Sequence, residues 1–204
     1  MAETIAIETP KGPAEAELSP ADGATAALVL GHGAGGGVHA PDLQLARDVA
    51  LAEGLAVALV TQPYRVAGKK SQPATNTIDI AWTAVLAELR DGALSGLELV
   101  AGGRSAGARV ACRCAAATGA AAVLCLAFPL EPPQRKDGTR GPSRLPELDA
   151  VEVPTLVVQG ESDRFGMPPA GPNREVAVVT GDHGLKKDRD AIAAAIRDWL
   201  RRLA

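Results

Sequence analysis

The sequence predicts an α/β fold with a mostly parallel central sheet covered by helices on both faces, and three observations predict it. Short, continuously apolar runs recur at Ala26–Leu30, Ala56–Val60, Leu97–Ala101, Ala122–Ala127, Thr155–Val158 and Glu175–Val179. Segments able to form helices fit between or after them, at about Asp42–Ala52, Ile78–Leu89, Ala106–Ala117 and Arg189–Leu203. Apolar strands alternating with helices are buried on both sides, the signature of parallel β-structure. The third observation is length: 204 residues fit one domain better than two and can bury a core without a disulfide or a metal.

The elements follow in order. Met1–Pro10 has neither a basic start nor an apolar stretch, so no secretory signal is expected there. Thr4–Glu8 and Ala14–Leu18 flank Thr9-Pro10-Lys11-Gly12-Pro13, which reads as a hairpin. The helix at Ile78–Leu89 places Ile78, Ala81, Trp82 and Val85 on one face at a 3.6-residue period. The last helix does the same with Ile192, Ile196, Trp199 and Leu200. No apolar run reaches the roughly 18 residues of a membrane span, and a net charge of −3 gives no pull toward nucleic acid or acidic lipid. Aromatic residues make up only 2%, so core and pocket are built from Ala, Val and Leu. Cys112 and Cys114 are two apart on a helix and do not share a face. They read as small core residues in a reducing cytoplasm, and no metal or cofactor is expected.

In a sheet of this kind, functional groups gather in loops at the carboxyl ends of the strands. Glu98-Leu99-Val100-Ala101-Gly102 runs as a strand into Gly103-Arg104-Ser105-Ala106-Gly107, which a helix follows. That is the setting in which G-x-S-x-G carries meaning, because small residues on either side let strand and helix approach while the serine is exposed above the sheet. Ser105 is therefore the candidate nucleophile.

A second glycine loop, Gly31-His32-Gly33-Ala34-Gly35-Gly36-Gly37, follows Leu28-Val29-Leu30. Gly31, Gly33 and Gly36 satisfy a dinucleotide pattern, but the next strand ends in Val60-Thr61-Gln62-Pro63 without the carboxylate a ribose needs. Val38-His39-Ala40-Pro41 also separates the glycines from the following helix. An oxyanion loop explains more: the backbone N–H of Ala34, with Gly33 as the fallback, and that of Ala106 after the nucleophile would hold a developing negative charge. His32 reads as a brace of that loop rather than as a base.

Of the three histidines, His183 follows the last apolar strand, in Gly181-Asp182-His183-Gly184. Asp163 lies just past the preceding strand, in Gly160-Glu161-Ser162-Asp163. The order Ser105, Asp163, His183 is that of a nucleophile, acid and base set on a parallel sheet. Asp182 and Glu161 compete as acids, but an acid adjacent to the histidine in sequence reaches its far ring nitrogen with difficulty. Tyr64, Arg65 and Arg104 are the candidate substrate contacts. Arg65, with Lys69 and Lys70, could also form a solvated charge cluster, and Arg104 could also pair with a neighbouring acid.

These strings, together with Phe128-Pro129-Leu130-Glu131-Pro132-Pro133 and Asp163-Arg164-Phe165-Gly166, resemble a small branch of the α/β-hydrolases. The branch includes testis-expressed hydrolase-like proteins and the hydrolase-like subunit of the NSL chromatin complex, and is related to dienelactone hydrolases. The likeness runs from about residue 25 to 204 and implies the α/β-hydrolase fold, with the family's serine, acid and histidine on Ser105, Asp163 and His183. Two departures stand out. Glu131 occupies a position usually held by histidine, and Ser105 replaces the cysteine of dienelactone hydrolases, so lactone specificity is not implied. Leu130–Pro154, where such folds often insert a lid, carries no long amphipathic helix, so a minimal lid and an open site are expected. The expected activity is hydrolysis of a small soluble ester or thioester through an acyl-enzyme, with a small molecule as the partner. A hydrolase-like binding or scaffold module without turnover is the alternative.

Overall fold

The structure, a computed structural model, describes residues 3–134 and 136–203. Met1 and Ala2 of the amino-terminal segment read above lie outside the described residues. One sheet contains β1 (Glu3–Ile7), β2 (Ala14–Ser19), β3 (Ala26–Gly31), β4 (Ala56–Thr61), β5 (Glu98–Arg104), β6 (Ala122–Leu126), β7 (Thr155–Gly160) and β8 (Arg174–Val179), in the order β1-β2-β4-β3-β5-β6-β7-β8. Strand β2 runs opposite to the rest of the sheet, so its pairings with β1 and β4 are antiparallel and the others parallel. The expected hairpin is there, and it extends the main sheet through the pairing of β2 with β4. Gly12 makes its turn possible at φ +98°, a backbone state that favours glycine.

The helices are α1 (Pro41–Ala52), α2 (Pro63–Val66), α3 (Thr75–Asp91), α4 (Ala106–Thr118), α5 (Leu145–Asp149) and α6 (Arg189–Leu203). Two cores result, one on each face of the sheet. Leu43, Ala46 and Val49 of α1 meet Ile192, Ile196 and Trp199 of α6 over one face. Ile78, Trp82 and Val85 of α3 meet Ala108, Ala111 and Cys112 of α4 over the other. Every one of these side chains is buried, each larger one contributing about 1.5–3 kcal/mol. The predicted apolar stripes of α3 and α6 are the buried ones. The short α2 and α5, each with proline in its first turn, fall in stretches that read as loops. Among the described residues, the segment from β6 to β7 carries the five-residue α5 and no helix long enough to form a lid. Among the described residues no helix is long and apolar enough to cross a membrane.

Candidate active site

β5 passes into α4 through a single residue, Ser105, whose φ of 53° and ψ of −108° lie outside the regions that L-residues prefer. A conformation of this kind costs about 1–3 kcal/mol and persists only where its surroundings enforce it. Here the Ser105 N–H donates to the Leu126 carbonyl of β6 (2.8 Å), and the Ser105 carbonyl accepts from the Arg109 N–H (3.2 Å). The flanking glycines answer to close approach. A Cβ at Gly103 would lie 2.6 Å from the Gly31 carbonyl oxygen, and one at Gly107 would run into the same atom. Strand β3, strand β5 and helix α4 can meet this tightly only without those side chains.

His183 brings its ring to the same place. Its Nε2 lies 3.0 Å from Ser105 Oγ and its Nδ1 2.8 Å from Asp163 Oδ2. The Asp163 carboxylate has no exposed surface. It also accepts from Gln159 Nε2 (2.9 Å) and from the Phe165 N–H (2.9 Å). A buried carboxylate at Nδ1 places the imidazole proton there and leaves Nε2 as the acceptor for the serine hydroxyl. Phe165 sets its ring edge-on against His183, centroids 4.6 Å apart. Neither competing acid takes part: Asp182 Oδ1 accepts from the Gly184 N–H in its own turn (2.9 Å), and Glu161 is exposed.

The loop after β3 approaches the serine from the other side. A Cβ on Gly33 would lie 3.5 Å from Ser105 Cβ and 3.1 Å from an Arg104 guanidinium nitrogen, so the loop rests directly on the Ser105 turn. His32 Nε2 accepts from the Gln62 N–H (3.1 Å), which leaves Nδ1 protonated to donate to the Gly33 carbonyl (2.8 Å). Burial holds the His32 pKa below its ordinary value, with the nearby Arg65 charge pushing the same way and the Gly33 bond opposing. The ring is thus kept neutral, as its acceptor role requires. In a trans peptide C=O and N–H point in opposite directions. Pinning the Gly33 carbonyl therefore also fixes the direction of the Ala34 N–H.

The three candidate substrate contacts fare differently. Arg104 donates through Nε to Asp42 Oδ2 (2.7 Å) and through Nη2 to the His183 carbonyl (3.0 Å), so it ties the histidine loop to α1. Asp42 is fully buried at its side chain, and burial raises its pKa against the opposing pull of Arg104. Tyr64 is buried, with its hydroxyl donating to the Ala34 carbonyl at 3.3 Å. Arg65 reaches only the Lys69 carbonyl, at 3.5 Å, beside the exposed Lys69 and Lys70. Among the described residues no set of three or more His, Cys, Asp or Glu side chains forms a metal-binding group.

Sequence reasoning missed Gln159, Phe165 and Asp42. Gln159 left a signal: an amide at the carboxyl end of a buried apolar strand has to find partners, and its Nε2 serves Asp163 Oδ2 and the Phe128 and Gly166 carbonyls. Asp42 left none, since its partner is remote in the chain. Cys112 and Cys114 stand apart as expected, but Cys112 Sγ lies 3.4 Å from Cys125 Sγ, a contact between α4 and β6. The hydrogen bond with the Cys112 thiol, together with burial, pushes the Cys125 thiol well above its ordinary pKa.

A family described as an alpha/beta hydrolase domain matches residues 24–194. No curated protein matches the chain. Among solved structures, a lidless α/β serine hydrolase from Xanthomonas campestris is similar over 98% of this chain and 94% of its own, at 17% identity and a TM-score of 0.76. Est1E from Butyrivibrio proteoclasticus with ferulic acid bound is similar over 97% and 98%, at 14% identity and a TM-score of 0.79. A dienelactone hydrolase from Anabaena variabilis is similar over 99% and 97%, at 16% identity and a TM-score of 0.77.

Proposed function

The chain belongs to the alpha/beta hydrolase domain family, and from that premise we propose that it is a serine hydrolase cleaving a small soluble ester or thioester through an acyl-enzyme on Ser105. One observation carries the reading: Asp163, His183 and Ser105 stand in series at 2.8 and 3.0 Å. The nucleophile has the proton acceptor it needs, and the acceptor has the anion that fixes its tautomer.

In the proposed reaction Ser105 Oγ attacks the acyl carbon while His183 Nε2 takes the hydroxyl proton. Asp163 stays ionised and stabilises the imidazolium. The Ala34 and Ala106 N–H groups, with Gly33 as the alternative to Ala34, hold the oxyanion. Collapse breaks the bond to the leaving alkoxide or thiolate, which receives the proton from His183. Water, deprotonated by the same nitrogen, then attacks the acyl-serine; the acyl–Oγ bond breaks, His183 returns the proton to Ser105 Oγ, and the acid is released. Similarity to the hydrolases and the Est1E structure named above supports the hydrolytic class. The narrower placement in the testis-expressed and NSL-subunit branch rests on the motifs quoted from the sequence. It belongs to the same proposal, as does a cytoplasmic setting.

The alternative, a fold kept without turnover, requires that Ser105 and His183 stay out of hydrogen-bonding reach, and the 3.0 Å separation counts against it. The test is labelling with a fluorophosphonate and burst release from an activated acetate ester. Both are expected in the unaltered protein, with the label on the Ser105 peptide, and both are expected to vanish in Ser105→Ala. Well-folded protein that shows neither label nor burst would overturn the reading.

A further inference from the structure

Beneath the oxyanion loop two buried polar atoms have no hydrogen-bond partner among the described residues: Trp82 Nε1 of α3 and Gln62 Oε1 at the end of β4. Trp82 is fully buried and Gln62 is 4% exposed. Both line one small cavity of about 10 Å³, together with Gly31, His32, Ala106 and Gly107. The indole nitrogen only donates and the amide oxygen only accepts, so the two are complementary. Buried polar atoms in folded proteins are satisfied almost without exception, by protein or by ordered water. A polar cavity holds a single water when it offers on the order of 10–15 Å³ of accessible volume, and nothing larger fits.

From its volume and from the complementarity of the two unpartnered atoms we propose that this cavity binds one internal water molecule. It accepts from Trp82 Nε1–H and donates to Gln62 Oε1. The wall completed by Ala106 and Gly107 is the first turn of α4, a helix whose first residues have no side-chain cap. The water thereby joins α3 and the end of β4 behind the nucleophile turn. Gly31 is part of the arrangement, because a Cβ there would lie 3.1 Å from the Trp82 ring and displace it.

The site has a consequence for the chemistry proposed above. Gln62, whose side chain the water anchors, is the residue whose N–H fixes His32, and His32 in turn holds the Gly33 carbonyl. The water stands at the root of the chain that directs the Ala34 N–H, which makes Gln62 and Trp82 positioning residues. This consequence rests on the Ser105 reading, whereas the water site does not.

A high-resolution crystal structure of the full chain tests the site itself. One density peak is expected within about 3 Å of both atoms, and it should be lost or displaced in Trp82→Phe. An empty cavity, a cavity filled by a side chain, or Trp82 and Gln62 bonded directly would each overturn the proposal. Should Trp82→Phe fail to fold, NMR of the unaltered protein gives the same answer: a water cross-peak to the Trp82 indole proton is expected, and its absence is adverse. Kinetics then test the consequence. Trp82→Phe and Gln62→Met should each lower kcat about 3–10-fold at unchanged KM, and the double variant should be no worse than the worse single, since all three break one shared link. Multiplying losses, or losses in KM alone, would sever the water from the oxyanion loop. An unaltered protein that holds the water but hydrolyses nothing would fault the Ser105 reading instead.

Discussion

The two ends of the sheet differ in how their polar groups are used. The amino end has a hollow of about 600 Å³ bounded by Thr25, Arg90, Asp91, Glu98 and Thr118. Its polar groups serve the fold: Arg90 Nη1, for example, donates to the Thr118 carbonyl at the end of α4 (2.7 Å). At the carboxyl end the side chains converge on one atom, Ser105 Oγ, through a series of short bonds. Convergence of this kind is what separates the two ends, and in a parallel sheet the strand ends that face the same way are what produce it.

The comparison can be broken at three points, taken from the largest expected effect. Asp163→Asn keeps the shape but removes the anion that fixes the His183 tautomer. Ester turnover should fall by about 10⁴-fold with little change in KM. Loss of less than tenfold would mean that the carboxyl end does not work as a relay.

Arg104→Ala should follow. It strands the buried Asp42 carboxylate and frees the His183 carbonyl, so stability near neutral pH should fall by about 3–5 kcal/mol, with activity falling alongside. The sign of the pH dependence is set by the raised Asp42 pKa. A carboxyl with a raised folded-state pKa favours the fold when protonated, and that contribution is lost as pH rises through the folded value. Removing Arg104 raises the pKa further, so the deficit should be larger at pH 8 than near pH 4, measured by urea unfolding at both. A deficit equal at the two values would mean that Asp42 does not carry the effect.

Arg90→Ala, at the amino end, should do least. It removes one bond from a largely exposed side chain, so stability should change by about 1 kcal/mol or less and ester turnover by less than twofold. A large loss of turnover there would erase the contrast between the two ends.

Legibility in the sequence tracked the range of the interactions. The Ser105 turn could be read because its determinants lie within five consecutive residues and the elements on either side are periodic or continuously apolar. The strands and the four long helices were legible for the same reason, apart from shifts of a few residues at their ends. The short α2 and α5 were not, because one turn of helix has no period to detect. The partners of Arg104 were invisible, since Asp42 lies 62 residues away and the His183 carbonyl 79. The sequence could say only that an arginine beside a nucleophile wants an acid.

By itself, then, the chain determined an α/β layering, a sharp serine turn, a glycine loop able to offer backbone N–H groups, and the candidates for acid and base. Each of these is encoded locally, by backbone preferences and by the spacing of apolar side chains. Only tertiary structure decided that His183 bridges Asp163 and Ser105 while Asp182 turns away, that Arg104 spans two loops, and that Gln62 and Trp82 face one small cavity. Those outcomes depend on the order in which strands join the sheet and on how closely β3, β5 and α4 approach, and such quantities exist only once the remote parts of the chain have met.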